Sequence, residues 1–227
     1  MTLDRAALLT GIPDELRIFG ELIGSLSEDD LKTPSRCADW TVANVIGHVI
    51  GTAVDITQGR LDGQGTAAVN QRQAQERVGR TVRELTDELA SASPVLCGLL
   101  RSLPAEAWEG PAPGNPEYTL RFAVEAIWYD AYLHGDDIRD ALALPSARGD
   151  GLRCAVHHIA GYLDHHRWGS ATLALNGIER IEIAAGGSEI TGDPLEFVLA
   201  ATGRRDPSAI GLDPAINVYA DAQARHE

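Results

Sequence analysis

One helical stripe constrains this chain more than any other feature. Leu120, Val124, Ile127, Ala131, Ile138 and Ala141 recur at steps of four and three, with one member of the series missing. That is the spacing of one face of an α-helix, and such a face needs other helices to cover it. The missing position is 134, and it holds His134. Asp130 lies four residues earlier, so its side chain stands beside the histidine, about 40° around the helix. A polar pair at a core edge is destabilising unless each group is satisfied. Two readings compete: a buried His–Asp hydrogen bond that orients the helix, or two ligands of a metal ion in a D-x-x-x-H arrangement.

The rest of the chain supplies partners for this helix. Residues 2–27 read as an amphipathic helix interrupted near Gly11-Ile12-Pro13, with Pro13 placed to start its regular part. A second helix begins at Thr41, capped by Asp39 or Thr41, with Val42, Val45, Ile46, Val49, Ala53 and Ile56 on its apolar side and Gly59 at its end. A third spans about Val69 to Ser102, with Pro94 as the expected kink or restart. PAEAWEGPAPGNPEY is a proline-punctuated loop, the fourth helix runs from about Thr119 to Leu144, and a fifth from about Gly151 to Leu175. After Asn176-Gly177 the texture changes. IERIEIAAGG reads as a strand, SEITG as its partner, DPLEFVLAATGRR as a short helix capped by Asp193, and AINVYA as a last strand. The expected architecture is mainly α: a helical bundle over 1–175 and a small α+β domain over 176–227.

Bulk properties exclude several functions. No apolar run approaches the roughly 18–20 residues of a membrane span, and no secretory signal is visible at the N-terminus. A net charge of −14 argues against nucleic acid and anionic membranes as partners. Cys37, Cys97 and Cys154 lie far apart and suggest neither a disulfide framework nor a thiolate zinc site, so the reducing cytoplasm is the expected compartment. Of the 19 basic residues only Lys32 is lysine, a compositional mark of a GC-rich genome.

His48 is the one histidine of the second helix and lies at the border of its apolar side. Bundles build metal sites from single ligands on one helix and spaced pairs on another. His48, Asp130 and His134 make two imidazoles and one carboxylate, a common zinc set that leaves a fourth position open for chemistry. The alternative for His48 is a satisfied structural histidine. His158 and His165 share a face of the fifth helix, and that face reads as solvated.

CADWTVANVIGHV (Cys37–Val49) and AIWYDAYLHGDDIRDAL (Ala126–Leu142) resemble the mycothiol-dependent maleylpyruvate isomerase family, one of the DinB-like metal-binding helical bundles. The elements that carry the resemblance are Trp40, Val42, His48, Asp130, His134, Asp137 and Arg139. ITGDPLEFVLAATGRRDP is similar to the family's C-terminal stretch through Gly192, Leu195, Gly203 and Arg204. The resemblance implies a DinB-like up-down four-helix bundle and a divalent metal, zinc by its ligand set, on His48, Asp130 and His134. It also implies mycothiol as the thiol cosubstrate. The family usually carries glutamate where this chain has Asp130. The shorter side chain requires closer helices or a bridging water.

A divalent metal beside a thiol stabilises the thiolate. Addition of a metal-bound thiolate to a conjugated double bond, followed by rotation and elimination, gives cis–trans isomerisation. Displacement of a leaving group gives S-transfer. The resemblance assigns Arg204 to a substrate carboxylate or to the thiol. The alternative is a basic Arg204-Arg205 pair favouring a helix C-terminus. Gly47 and Gly51, four apart beside His48, either clear room for the thiol or mark close helix–helix contact. Asp136 and Asp137 read as fold elements, with Asp137 and Arg139 tying the helix end to a loop. The partners expected are a small electrophilic substrate and the thiol, acting on a monomer or homodimer. Two other functions remain open: biosynthesis of a specialised metabolite on the same scaffold, and a noncatalytic metal- or partner-binding bundle.

Overall fold

The computed structural model of the chain describes residues 2–219. Four long helices, α1 (Arg5–Gly24), α2 (Val42–Thr57), α4 (Val82–Ser102) and α5 (Leu120–Ala141), enclose the main core, a short α3 (Ala67–Gln75) packs on α2, and β1 (Pro111–Ala112) pairs with β2 (Asn115–Thr119) within the stretch expected as a loop. α1 and α2 each pack against both α4 and α5, so the ring runs α1-α4-α2-α5. α1 and α2 thus sit diagonally, as do α4 and α5, which the long connections over 25–41 and 103–119 allow. None of the described helices is long and apolar enough to cross a membrane.

Two prolines do not act as the sequence suggests. α1 runs unbroken through Pro13, and α4 through Pro94. Apolar contacts on both sides of each proline, Leu8, Ile12, Leu16 and Phe19 in α1 and Leu89, Ala92, Leu96 and Leu100 in α4, hold the helices together across the missing hydrogen bond. The expected third helix instead breaks before Thr81. Gly79 takes φ +82°, and Thr81 starts α4 with a capping box to Glu84. The T-x-x-E signal stands in the sequence as Thr81-Val82-Arg83-Glu84.

The stripe on α5 understates its burial. Every residue from Ala131 to Ile138 is buried, so for two turns this helix is enclosed on all sides. Trp128, Tyr129, Tyr132 and Leu133 join Val124, Ala131 and Ile138 in the core, while Leu120, Ile127 and Ala141 are half-buried.

The chain divides into two compact units, Asp4–Ala147 and a second that starts at Arg148 and takes in Thr2 and Leu3. The expected boundary at 175/176 falls inside the second unit. The fifth helix, α6 (Asp150–His165), packs on α7 (Pro194–Ala201) and on strand β4 (Ile181–Ile183), so it belongs with them. It also stops earlier than expected. Ala171–Leu175, expected as its last turns, forms β3, the buried central strand. A short apolar run carries no period that separates strand from helix. β3 pairs antiparallel with β4 and parallel with β5 (Ser188–Gly192), so SEITG partners β3, not IERIEI. Asp193 caps α7 and Pro194 fills its first turn, as expected. Ala215–Ile216 closes a 3-10 turn where a last strand was expected, and Ala220 of AINVYA lies outside the described residues. The histidine face of α6 is solvated only at its end, where His165 is exposed. His157 and His158 are buried, and His157 Nε2 bonds Glu179 Oε1 at 2.8 Å.

Candidate metal centre

Helices α2 and α5 bring His48, Asp130 and His134 together, with one ligand atom from each inside a 4.8 Å cluster. His48 Nε2 lies 3.4 Å from Asp130 Oδ1 and 3.3 Å from Oδ2, and His134 Nε2 lies 3.4 Å from Asp130 Oδ1. These separations are long for charge-assisted hydrogen bonds. They match the distance of about 3.3 Å between ligand atoms of a tetrahedral zinc with bonds near 2.0–2.1 Å. The two imidazoles are perpendicular, 5.0 Å between centroids. Asp130 therefore stands at ligand-to-ligand distance from both histidines despite its shorter side chain. Both histidines are buried, but the Asp130 side chain is 27% exposed, which leaves the cluster one accessible side.

Each imidazole is held from behind. His134 Nδ1 bonds Asp137 Oδ2 at 2.9 Å, and His48 Nδ1 bonds Gln73 Oε1 at 2.8 Å. Donation from both Nδ1 atoms turns both Nε2 atoms toward Asp130, where a bound metal would take their lone pairs in place of a proton, the arrangement that metal-ligating histidines adopt. Asp137 is itself pinned by Arg36, whose Nε donates to its Oδ1 at 2.6 Å while Nη2 donates to Asp136 Oδ2 at 2.6 Å. Cys37 Sγ donates to Asp137 Oδ2 at 3.1 Å. Cys37, His134 and Asp137 form a second group of possible ligands, but Arg36, Cys37 and His134 already engage both Asp137 oxygens, so Asp137 supports the first cluster. Asp137 thus ties α5 to the loop that carries Arg36, as expected of it, and it also orients His134. Trp40 covers the histidines, 5.4 Å from the His48 ring and 6.3 Å from that of His134.

Electrostatics favour a cation here. Burial alone raises the Asp130 pKa, but His48 and His134 outweigh it and hold the carboxyl well below the ordinary range. Burial opposes charge on His134, yet Asp130, Asp137 and Cys37 keep its pKa well above the ordinary value. Positive charge beside Asp130 is thus strongly favoured, and a divalent cation supplies it in place of a proton. The donor set, its spacing and the anchored rings all fit a divalent metal.

Gly47 and Gly51 do not clear a cleft. A Cβ on Gly47 would lie 3.0 Å from Ala74 O, and one on Gly51 2.5 Å from Gln73 Cβ. Helix α3 fills the space expected for a thiol, so the contact reading holds for both. Arg204 follows α7 and directs Nη1 toward Thr202 O at 3.5 Å.

Sequence reasoning missed Gln73, Asp55, Arg36 and Cys37. Asp55 is fully buried and accepts from Arg60, Arg72, Gln64 and Gln73. A signal existed: His48, Thr52 and Asp55 share one face at i, i+4 and i+7. Burial by itself raises the Asp55 pKa, but Arg72, Gln73, Arg60 and Gln64 outweigh it and bring it from 3.8 to about 2. A depressed folded pKa contributes stability that is present above the unfolded value and lost as pH falls through the folded one. We expect about 2 kcal/mol of unfolding free energy to disappear between pH 4 and pH 2. Urea titrations of the parent and Asp55→Asn across that range check this. An equal pH slope in both would contradict it.

Comparisons with known proteins bear on the family and the fold. The description "Mycothiol maleylpyruvate isomerase N-terminal domain" matches residues 12–139. A crystal structure of the mycothiol-dependent maleylpyruvate isomerase has the same fold, with a TM-score of 0.63 at 15% identity over 89% of this chain and 90% of that one. A histidine-to-alanine mutant of that enzyme matches with a TM-score of 0.63 at 14% identity over the same shares. No curated relative matches the sequence. The matched residues span more than half of the chain and contain His48, Asp130 and His134, and the chain belongs to the mycothiol maleylpyruvate isomerase family.

Proposed function

We propose that the chain is a thiol-dependent isomerase whose His48, Asp130 and His134 hold a divalent metal, zinc by its ligand set, with mycothiol as the thiol. The observation that carries this reading is the convergence of two Nε2 atoms on one carboxylate at ligand-to-ligand distances. When bound, such a metal makes a thiol at its open position a nucleophile at neutral pH. The substrate class that fits is a small carboxylate bearing a conjugated cis double bond, as in maleylpyruvate. Sulfur adds to that double bond, the resulting single bond rotates, and elimination returns the thiol and the trans product. A substrate with a leaving group in place of the double bond would undergo S-transfer on the same residues.

The chain's own groups have separate tasks. Asp137 and Gln73 keep the protons on the Nδ1 atoms, away from the ligand side. Trp40 shields the imidazoles from water. Arg204, which matches the family's C-terminal arginine, is proposed to hold the carboxylate. Three cysteines that form no disulfide suit work in the reducing cytoplasm. The test is turnover of maleylpyruvate by zinc-loaded protein. Isomerisation that needs both mycothiol and metal is expected, and no turnover with both present would overturn the isomerase reading.

Asp130→Asn is expected to weaken zinc binding by roughly 100-fold or more, beyond the cost of losing a ligand's supporting hydrogen bond. An amide has similar shape but no charge for the cation to neutralise. The zinc-free variant should stay folded, since the carboxylate is the partly exposed member of the cluster. Chelator competition measures the affinity. Zinc binding as tight as the parent's would make Asp130 a structural partner of the imidazoles.

A further inference from the structure

We propose that Asp55, acting through Gln73, fixes which nitrogen of His48 carries the proton, and that both are positioning residues for the metal centre. Its consequence for affinity rests on the metal reading above. Its consequence for the ring does not.

The argument follows donors and acceptors along one line. An ionised carboxylate only accepts hydrogen bonds, so buried Asp55 turns donors toward itself. Gln73 Nε2 donates to Asp55 Oδ2 at 2.8 Å and to Gln64 Oε1 at 3.1 Å. With its nitrogen committed there, the Gln73 amide points its oxygen at α2. That oxygen accepts from Thr52 Oγ1 at 3.3 Å and stands 2.8 Å from His48 Nδ1. An amide oxygen only accepts, so Nδ1 carries the hydrogen and Nε2 offers its lone pair to the cluster. His134 reaches the same state in one step, from Asp137. Gly51 admits the arrangement, because a side chain there would meet Gln73 Cβ at 2.5 Å.

A swap of the two functional groups tests the order. Asp55→Asn provides an N–H that lets the amide at 73 turn over, so zinc affinity should fall about 10–100-fold. Gln73→Glu sets two carboxylates face to face and should also weaken zinc. The double variant Asp55→Asn/Gln73→Glu restores donor at 55 and acceptor at 73, and affinity should return to within about threefold of the parent. The second readout is the 15N shifts of the neutral His48 imidazole in zinc-free protein, which separate Nδ1–H from Nε2–H. The parent should show Nδ1–H, Asp55→Asn should gain Nε2–H, and the double variant should revert. A parent with Nε2–H overturns the proposal, as does an Asp55→Asn variant with unchanged tautomer and zinc affinity, or a double variant no tighter than the weaker single one. Should Asp55→Asn alone fail to fold, the parent's tautomer and the double variant decide. If the parent binds no zinc, the metal reading fails, and the tautomers still decide the role of Asp55.

Discussion

Replacing His134 with alanine is expected to bring zinc binding below detection and to abolish isomerisation, while the helical bundle stays folded. Only His48 and Asp130 would remain, and two ligands do not make the closed side of a catalytic zinc site. The structural cost is smaller. The variant loses the bond from Nδ1 to Asp137 Oδ2, but Arg36 and Cys37 still donate to that carboxylate. A buried ring lost with one partner retained costs about 2–4 kcal/mol, within what a domain of this size tolerates. Zinc content after dialysis and a circular-dichroism melt measure the two effects separately. Stoichiometric zinc in a folded His134→Ala protein would remove this residue from the ligand set.

The second large effect is on stability and lies away from the ligands. Gly11 sits in α1 where any Cβ would enter the indole of Trp128. That ring has little room to yield. It is buried on α5, and its Nε1 donates to Glu15 Oε2 at 3.1 Å, one turn along α1 from Gly11. Overpacking of a rigid ring costs about 3 kcal/mol, so Gly11→Ala should lose most of that in urea unfolding. Gly98 is the control. It lies in α4 with nothing within 4 Å of an added Cβ, so Gly98→Ala should gain about 0.5–1 kcal/mol from helix propensity. Equal stability of the parent and Gly11→Ala would contradict the close packing of α1 on α5.

The cluster was legible because helix periodicity reports which residues share a face, and His134 interrupts an apolar series in which a polar residue calls for a partner. His48 needed a second helix, and the order of motifs supplied it. What supports the ligands was not legible. Gln73 lies on a short polar helix with no pattern of its own, and its contact with His48 depends on how closely α3 approaches α2 at Gly51. Gly47 and Gly51 were visible as small residues, but sequence does not say whether a helix or a ligand fills the space they leave. Arg36 lies far from Asp137 in the chain and joins it only through the fold. Pro13 and Pro94 misled for the opposite reason, because local propensity yields to packing on both sides of the proline. Ala171–Leu175 became a strand because it forms the middle of a sheet, a fact written in its neighbours.

The measurement that bears most directly on the central claim is the metal content of the purified protein after zinc loading and dialysis, beside His48→Ala, Asp130→Asn and His134→Ala treated alike. About one zinc per chain in the parent, and a marked loss in each variant, is the predicted result. A folded parent that retains no zinc, or three variants that retain as much as it does, would show that His48, Asp130 and His134 form a structural hydrogen-bond cluster and not a metal centre.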